Sequence, residues 1–386
     1  MDAPTKRIAI NFGGGYVPGL HAVITGAVLA ASELGWAVVG IRDGFDGLLF
    51  SDRYIDAGVV KLTRELVEHL SSSSGSILGT AARSDPFHVR TVNSENQVEE
   101  VDRSDALLKT IQSHKIDAVI SVVGPGPLSI LWKLSRKGMK TVAVPKSVEN
   151  DMATTALSFG FNSALSFAVE TLDRARQAAD SARKIAIVEV LGEHAGWLAL
   201  QAGMAVCADA VLIPEIPYDI ASVAAKLRKK FQAGSTSALV VVAEGAMPRN
   251  RDQAASEAAA ADSLKASLSP GATGHQGAHV IERSGHVAET VALQIQRLID
   301  QETYPLVLGQ LVRGGPPTAV DRQLGLGYGA AAVRALNENQ SGVMVSFQPP
   351  DLKFVPLAET INKVRTVPAD SVFVQVARSL GMSLGD

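Results

Sequence analysis

Four side chains able to do chemistry lie within six residues of one another in the stretch VPKSVENDM, residues 144–152. Lys146 can hold a phosphate, and Ser147 can hydrogen-bond a ligand. Either Glu149 or Asp151 can act as a general base or hold a metal ion. The same composition also suits a solvated, charged loop, so the choice depends on the elements that position these residues.

A glycine-rich turn between a predicted strand and a predicted helix occurs near the start of the chain, in NFGGGYVPGLHAVI (residues 11–24). Gly14 and Gly15 allow backbone N–H groups to approach an anion, and the N-terminus of the following helix favours negative charge. The spacing matches neither of the nucleotide-binding patterns G-x-G-x-x-G and G-x-x-x-x-G-K-[ST]. A phosphate site and a simple tight turn are therefore both open interpretations.

A second strand–turn–helix pattern, SVVGPGPLSILWKL (residues 121–134), places Gly124, Pro125 and Gly126 in the turn. Its prolines lack N–H groups and fix the backbone, which makes this turn a poorer anion cradle than an all-glycine one. Both turns and the VPKSVENDM stretch follow predicted strands. Ligands bind at the carboxyl ends of the strands in parallel α/β sheets, so we expect the three loops to converge there.

The distribution of apolar residues predicts an α/β fold. The 386-residue chain is 46% hydrophobic, which is enough for one large or two medium domains. Apolar runs of strand length, such as AVISVV and KIAIVEV, alternate with helical patterns. Such alternation is typical of βαβ units in a doubly wound sheet.

Composition also argues against several classes of partner and location. The net charge of −3 and the lack of a Lys/Arg block make nucleic acid an unfavourable partner. No apolar run reaches the ~18 residues that a bilayer-spanning helix needs, and the first residues do not resemble a signal peptide. We therefore expect a soluble, cytoplasmic protein without a membrane partner. The single cysteine, Cys207, excludes an internal disulfide and is expected to be a small buried residue.

Further motifs follow in an order that resembles the phosphofructokinase family over nearly the whole chain. They include IRDGFDGL, GSILGTAARSDPF, FGFNSAL, VEVLGEHAGWLAL, VVVAEGA and VLGQLVRGGPPTAVDR, besides VPKSVENDM itself. The resemblance implies transfer of a phosphoryl group from ATP or pyrophosphate to the 1-hydroxyl of fructose 6-phosphate, with Mg²⁺. It also implies a homodimer or homotetramer.

The resemblance implies an α/β fold of two Rossmann-like three-layer domains, with the active site in the cleft between them. It divides the chain into a larger domain, residues 1–160 plus about 312–364, and a smaller domain, residues 161–311 plus about 365–386. The larger domain would carry the loops that bind the phosphoryl donor. The smaller one would carry the elements that bind the sugar phosphate.

The resemblance also assigns roles to individual residues. The catalytic residues would be Lys146, Ser147, Asp151 and, as the base, Glu149. The donor phosphates would be bound by Gly14, Gly15, Arg83, Gly124, Pro125 and Gly126. The acceptor would be bound by Lys184, Leu191, Gly192, Glu193, Glu244, Tyr304, Gln310 and Arg313. A lysine at position 146 goes with the pyrophosphate-using members, so pyrophosphate is favoured as the donor.

Several positions depart from the family pattern at the reacting centre. An acid that helps to bind Mg²⁺ in the family is replaced by Pro125, so Mg²⁺ is expected without its usual protein ligand. The family's aspartate base is Glu149 here, one methylene longer, and an arginine that neutralises the transferred group is Glu193. A shift of ~1 Å at a reacting group can cost about 10²-fold in rate.

The acceptor-binding positions depart as well. Tyr304 replaces an arginine that reaches in from the neighbouring subunit, Gln310 replaces a histidine, and Lys184 replaces an arginine. We therefore predict weak or altered phosphofructokinase activity, on fructose 6-phosphate or on another sugar-type acceptor. The alternative is a catalytically silent paralogue that binds a ligand and regulates, or assembles with, an intact homologue. Different chemistry on the same scaffold is a third hypothesis, because fold does not fix function.

Overall fold

The computed structural model describes residues 6–81, 84–92, 96–250 and 286–386. The chain divides into two compact units, a first unit of Met1–Ala164 with Arg313–Arg365 and a second unit of Leu165–Val312 with Thr366–Asp386. Each unit contains a largely parallel sheet with helices packed against it. This architecture confirms the predicted α/β class of two Rossmann-like domains.

Strands and helices alternate through most of the chain. The strands are β1 (Arg7–Gly13), β2 (Ala37–Ile41), β3 (Val59–Leu62), β4 (Val89–Val92), β5 (Val98–Val101), β6 (Ala118–Val123), β7 (Thr141–Ser147), β8 (Phe159–Gly160), β9 (Ile185–Val190), β10 (Ala210–Leu212), β11 (Ala238–Ala243), β12 (Thr303–Val307), β13 (Val343–Gln348) and β14 (Asp351–Pro356). The α-helices are α1 (Leu20–Glu33), α2 (Asp46–Leu49), α3 (Arg64–Val67), α4 (Ser104–Ser113), α5 (Pro125–Arg136), α6 (Phe161–Ala182), α7 (Trp197–Ala205), α8 (Ile220–Gln232), α9 (His286–Leu298), α10 (Ala319–Asn337), α11 (Leu357–Thr360) and α12 (Val372–Ser379). Within the described ranges, these helices lack the combination of length and apolar character that crossing a bilayer requires.

The sheet of the first unit has the strand order β14–β13–β7–β6–β1–β2–β3, with β8 paired to β7. Neighbours from β13 to β2 run parallel, and the two outermost pairs are antiparallel. The chain moves outward from β1 in one direction through β2 and in the other through β6 and β7. The point between β1 and β6 is therefore a topological switch point, where α/β sheets bind ligands.

Burial explains why the central strands of this sheet read as continuous apolar runs. Every residue of β6 and β7 is buried, as is all of β1 except its two ends. Strands covered on both faces need apolar side chains at successive positions rather than at alternate ones. The exceptions at the end of β7, Lys146 and Ser147, are polar side chains held in a buried position.

Helices α1 and α10 pack so closely that their glycines are in backbone contact. A Cβ atom added to Gly26 would lie 2.1 Å from the carbonyl oxygen of Leu326, and one added to Gly329 would lie 2.2 Å from that of Val23. No side chain fits at either position without moving a helix. Because α1 begins directly after the first glycine turn, this contact also fixes the position of that turn.

Replacing Gly329 by alanine is expected to lower the free energy of unfolding by about 1–3 kcal/mol, because the new methyl group forces the helices apart. Gly327, two residues earlier in the same helix, is the matched control. Its added Cβ would meet only a leucine methyl at 3.4 Å, so Gly327→Ala is expected to be neutral or slightly stabilising. Urea denaturation of both variants measures the difference, and equal stabilities would contradict the close-contact account.

The second unit is built on an all-parallel sheet with the order β10–β11–β9–β12. Strands β9 and β11 are fully buried, and Val190 at the end of β9 pairs with Ala243 at the end of β11. The loops that follow these two strands therefore begin side by side. By contrast, β12 lies at the sheet edge and is largely exposed.

Cys207 is exposed, so the prediction of a buried cysteine was wrong. The residue lies in the turn after α7 with a left-handed backbone (φ 50°), and its N–H donates to the carbonyl oxygen of Met204 at 3.1 Å. The apolar residues around it in the sequence are needed by the helix that ends there. Cys207 itself occupies the turn and points away from the core.

Candidate active site

Three loops leave the carboxyl edge of the first unit's sheet side by side. The register pairs Gly13 with Val123 and Val123 with Pro145, so β1, β6 and β7 end at nearly the same level. A cavity of about 160 Å³ lies at this edge. Its lining residues are Gly14, Gly15, Val17, Gly124, Pro125, Pro127, Lys146, Ser147, Glu149, Asp151 and Arg313. The predicted convergence of the three loops is thus present.

Lys146 extends from the end of β7 under the first glycine turn. Its amino group donates to the carbonyl oxygen of Gly15, and a Cβ atom on Gly14 would lie 3.5 Å from it. The residue is 2% exposed, and burial, followed by the positive charge of Arg313, lowers the pKa of the amine to about 7. A bound anion would offset both causes, because a nearby negative charge favours the protonated form of the amine.

Arg313 lies on the other side of the glycine turn and next to the acidic loop. Its Nη1 atom is 3.7 Å from where a Cβ on Gly15 would be, and its Nη2 atom is 3.6 Å from Oε1 of Glu149. At this distance the two side chains form an ion pair without a direct hydrogen bond. Arg313 was expected among the acceptor-binding residues, and the structure places it in the cavity with the donor-side loops.

Glu149, Asn150 and Asp151 form a tight turn after β7, which we call the acid turn. The Ser147 hydroxyl donates to Oδ1 of Asp151 at 2.5 Å and accepts from the N–H of Glu149 at 3.0 Å. Asn150 has a left-handed backbone (φ 55°), which asparagine tolerates better than most residues, and its Oδ1 accepts from the N–H of Ser158 at 2.9 Å. These bonds hold two carboxylates at the rim of one cavity.

Replacing Ser147 by alanine removes both hydrogen bonds of its hydroxyl. We expect this change to reduce kcat about tenfold for the phosphoryl transfer that the family resemblance implies. We also expect it to lower the free energy of unfolding by about 1–2 kcal/mol. Threonine keeps the hydroxyl, so Ser147→Thr is expected to stay close to the unmodified protein. Steady-state kinetics and urea denaturation check both values. Ser113→Ala, which removes an exposed hydroxyl bonded to the carbonyl of Thr110, is the control. Equal losses in the alanine and threonine variants would contradict a role for the hydroxyl.

The second turn lies at the start of α5, with Gly124 as N-cap and Pro125 in the first turn. Both residues line the cavity, whereas Gly126 is not among its lining residues and has open space around its Cβ position. Pro125 presents no oxygen to a metal. Across the part of the chain that the structure describes, no group of three or more His, Cys, Asp or Glu side chains is arranged to hold a metal ion.

The second unit brings together some of the residues expected to bind the acceptor. Leu191, Gly192 and Glu193 follow β9, and Glu244 follows the neighbouring β11. The N–H of Gly192 donates to Oε1 of Glu244 at 3.4 Å, and a Cβ on Gly245 would lie 2.1 Å from the carbonyl oxygen of Glu193. Leu191 is buried and Glu193 is exposed. The charge reversal noted at Glu193 is thus on the surface of its unit.

Lys184 and Tyr304 lie at the opposite edge of the same sheet. Lys184 precedes β9 and pairs with Glu302 at 2.6 Å, and the Tyr304 hydroxyl donates to the carbonyl of Ala175 at 2.8 Å. Strand β9 separates them from the loop after Val190 by about 20 Å. Within one chain they do not join Leu191, Gly192 and Glu193. Gln310 is exposed in the 3₁₀ turn Gly309–Arg313, and Arg83 lies outside the described residues.

The sequence did not identify one residue that lies near the cavity, Arg365. Arg365 hydrogen-bonds to the main chain of the acid turn. Its backbone N–H donates to the carbonyl oxygen of Asp151, and its guanidinium donates to the carbonyl oxygen of Asn150. It lies 215 residues from Asn150 along the chain, in a segment without a motif. The only sequence signal is an arginine in an otherwise ordinary loop, and it does not distinguish Arg365 from the exposed arginines.

Comparison with known proteins assigns the chain to a family. A phosphofructokinase family profile matches residues 7–336, and this chain belongs to the phosphofructokinase family. The ATP-dependent 6-phosphofructokinase of Chloroflexus aurantiacus is 38% identical over 387 residues, which cover 100% of this chain and 99% of that protein. The match therefore extends over both units.

Solved structures with the same fold include further phosphofructokinases. The phosphofructokinase of Saccharomyces cerevisiae superposes with a TM-score of 0.70 at 25% identity, covering 97% of this chain and 46% of the yeast chain. This chain thus spans less than half of the yeast chain. The pyrophosphate-dependent phosphofructokinase of Marinobacter aquaeolei has a TM-score of 0.74 at 18% identity, covering 97% of this chain and 90% of that one. The second likeness shows the fold alone.

Proposed function

We propose that this protein transfers a phosphoryl group from ATP or pyrophosphate to a hydroxyl of fructose 6-phosphate. The observation that carries the proposal is the cavity of the first unit. It combines glycine turns, two cationic side chains and two carboxylates within about 160 Å³. Phosphoryl transfer needs this combination, because cations and backbone amides hold the phosphates while a carboxylate takes the proton of the attacking hydroxyl.

The four charged side chains of the cavity would have different roles in the reaction. Lys146 and Arg313 flank the first glycine turn and would hold the phosphates of the donor. Glu149 would accept the proton of the acceptor hydroxyl, and its neighbour Arg313 would stabilise the charge on the transferred group. Asp151 is fixed by Ser147, which leaves its Oδ2 atom for a further contact. The base keeps its position because the acid turn is restrained on several sides.

Mg²⁺ fits this site only in part. Mg²⁺ commonly keeps several waters and binds through one or two carboxylates plus the phosphates of the substrate. Asp151 could supply one carboxylate oxygen, whereas Pro125 supplies none. The ion would therefore be held mainly by the donor phosphates, whose negative charge it would offset.

Different observations support ATP and pyrophosphate as the phosphoryl donor. The Chloroflexus relative is named as ATP-dependent, which supports ATP. Lys146 supports pyrophosphate through the family resemblance, because an amine in contact with the glycine turn occupies space beside the donor phosphates. A direct comparison of the two donors at equal Mg²⁺ decides between them.

We also propose that activity with fructose 6-phosphate is lower than in ordinary members of the family. Three family cations are replaced at Glu193, Tyr304 and Gln310, and the usual acidic magnesium ligand is replaced by Pro125. Restoring the family residues in the triple variant Pro125→Asp, Glu149→Asp, Glu193→Arg is expected to raise kcat/KM. Turnover by the unmodified protein within about tenfold of an ordinary member would contradict this part of the proposal.

Assembly into a homo-oligomer is proposed because one chain does not bring its acceptor-side residues together. Lys184 and Tyr304 lie at the edge of the sheet away from Leu191 and Glu193, so a second copy would have to supply them. Light scattering is expected to give a mass of at least two chains. A monomer that turns over fructose 6-phosphate would contradict this requirement.

A silent, ligand-binding paralogue is the second candidate, favoured by Pro125 and by the exposed Glu193. The two candidates are separated by a coupled assay with ATP and with pyrophosphate against a panel of sugars and sugar phosphates. Turnover of any acceptor supports the enzyme. A thermal shift with the phosphates or sugars, in the absence of turnover, supports the ligand-binding protein.

A further inference from the structure

The acid turn is held from its main-chain side by the segment Val364–Arg365. Met152 pairs with Val364 in an antiparallel bridge. The N–H of Arg365 donates to the carbonyl of Asp151 at 2.8 Å, and its Nη1 atom donates to the carbonyl of Asn150 at 3.2 Å. Two successive carbonyls of the turn thus accept hydrogen bonds from one residue.

Arg365 holds these carbonyls from a partly buried position. Burial lowers the pKa of its guanidinium, which still carries its charge at neutral pH because arginine is so basic. A charged donor forms a stronger hydrogen bond than a neutral one, and the bond strengthens further where water is scarce. Two successive peptide units of the acid turn each have their carbonyl oxygen held by Arg365. These bonds oppose rotation of both peptides, so the neighbouring carboxylates keep their directions.

The remaining restraints on the acid turn act on other groups. Ser147 holds the N–H of Glu149 and the carboxylate of Asp151, and Ser158 holds the side chain of Asn150. The bonds of Arg365, by contrast, are made to the main-chain carbonyl oxygens of Asn150 and Asp151. Replacing the Arg365 side chain removes the guanidinium bond to the Asn150 carbonyl and leaves the backbone bond to Asp151. Loss of the guanidinium bond would let the peptide between Asn150 and Asp151 tilt while the other bonds persist.

We propose that Arg365 is a positioning residue of the phosphoryl-transfer site, which directs the carboxylates of Glu149 and Asp151 towards the cavity through the main chain. Its effect on the rate rests on the function proposed above. The restraint itself is a property of the free protein and is measurable without turnover.

The test compares Arg365→Met and Arg365→Lys with Arg334→Met. Arg334 is an exposed arginine of the same unit that also donates to a carbonyl, that of Leu352 at 3.1 Å. Hydrogen exchange of the free protein is followed in peptides covering residues 147–158 and 360–366. Arg365→Met is expected to raise exchange there about tenfold or more and to leave the rest of the unit unchanged. Lysine should restore part of the protection, and Arg334→Met should alter neither peptide.

Kinetics of the same variants complete the test. Arg365→Met is expected to lower kcat by about 10- to 10²-fold with little change in the KM of the donor, because the carboxylates are misdirected rather than lost. Unchanged exchange in the acid turn, or exchange raised equally throughout the first unit, overturns the proposal. If the unmodified protein turns over no acceptor, locally raised exchange still supports the positioning role, and only the proposed function fails.

Discussion

Replacing Glu149 by glutamine is expected to lower kcat for phosphoryl transfer by about 10²- to 10⁴-fold, which is the range for loss of a general base. Glutamine has nearly the same shape and can still approach Arg313, but it cannot accept the proton of the acceptor hydroxyl. The KM of the phosphoryl donor is expected to change little. Initial rates at saturating donor, measured across the acceptor concentration range, give both quantities.

The matched control for this variant is Glu338→Gln. Glu338 is an exposed acid of the first unit that also pairs with an arginine, Arg334, at 3.8 Å. Its replacement is expected to leave kcat and stability nearly unchanged, because exposed ion pairs contribute little. If Glu149→Gln retains more than about a tenth of the rate, Glu149 is not the base. Asp151 would then be the next residue to replace.

Replacing Lys146 by methionine is expected to stabilise the free protein and to weaken donor binding. Burying an amine with a pKa of about 7 costs free energy at neutral pH, and methionine fills a similar volume without that cost. We expect the free energy of unfolding at pH 7 to rise by about 1–4 kcal/mol. The affinity for pyrophosphate or ATP is expected to fall by about 10- to 10³-fold, because a buried cation beside the phosphates is lost.

The pH dependence of this stabilisation has a definite sign. The pKa of Lys146 is lower in the folded protein, about 7, than its usual 10.5. The unfolded chain therefore binds more protons between these values, and the stability of the unmodified protein rises with pH across that window. The advantage of Lys146→Met is largest at or below pH 7 and shrinks as the pH approaches 10.

Urea denaturation at pH 7 and at pH 9, with and without pyrophosphate, checks both effects. Lys140→Met, an exposed lysine just before the same strand, is the control and is expected to change neither stability nor protection by pyrophosphate. A lower stability for Lys146→Met at pH 7 would contradict the burial account. Undiminished protection by pyrophosphate would contradict contact between Lys146 and the donor.

The fold was largely predictable because its central strands are buried on both faces. β1, β6 and β7 stand out in the sequence as largely apolar runs, and the turns that follow them could be placed at one edge of the sheet by topology. The edge strand β12, TYPLV, is shorter, is interrupted by Pro305 and is largely exposed, so its sequence does not mark it in the same way. The family resemblance marked Tyr304 as a site residue, whereas the apolar pattern did not place it in a strand.

The part of the site that is local in sequence could be anticipated as a group. Lys146, Ser147 and Asp151 share one short stretch, and the structure places them around one cavity. Contacts from distant segments could not be anticipated in the same way. Arg313 approaches Glu149 from a segment much later in the chain. The bonds of Arg365 to the acid turn go to main-chain carbonyls, and no pattern of side chains in the sequence marks such bonds.

The most direct test of phosphoryl transfer is phosphorus NMR of the reaction mixture. Purified protein is incubated with Mg²⁺ and fructose 6-phosphate, with ATP in one sample and pyrophosphate in another, and Glu149→Gln is treated in parallel. The account predicts that a second sugar phosphomonoester accumulates with at least one donor in the unmodified protein and is nearly absent in the variant. No new phosphomonoester with either donor, or equal accumulation in the variant, would contradict it.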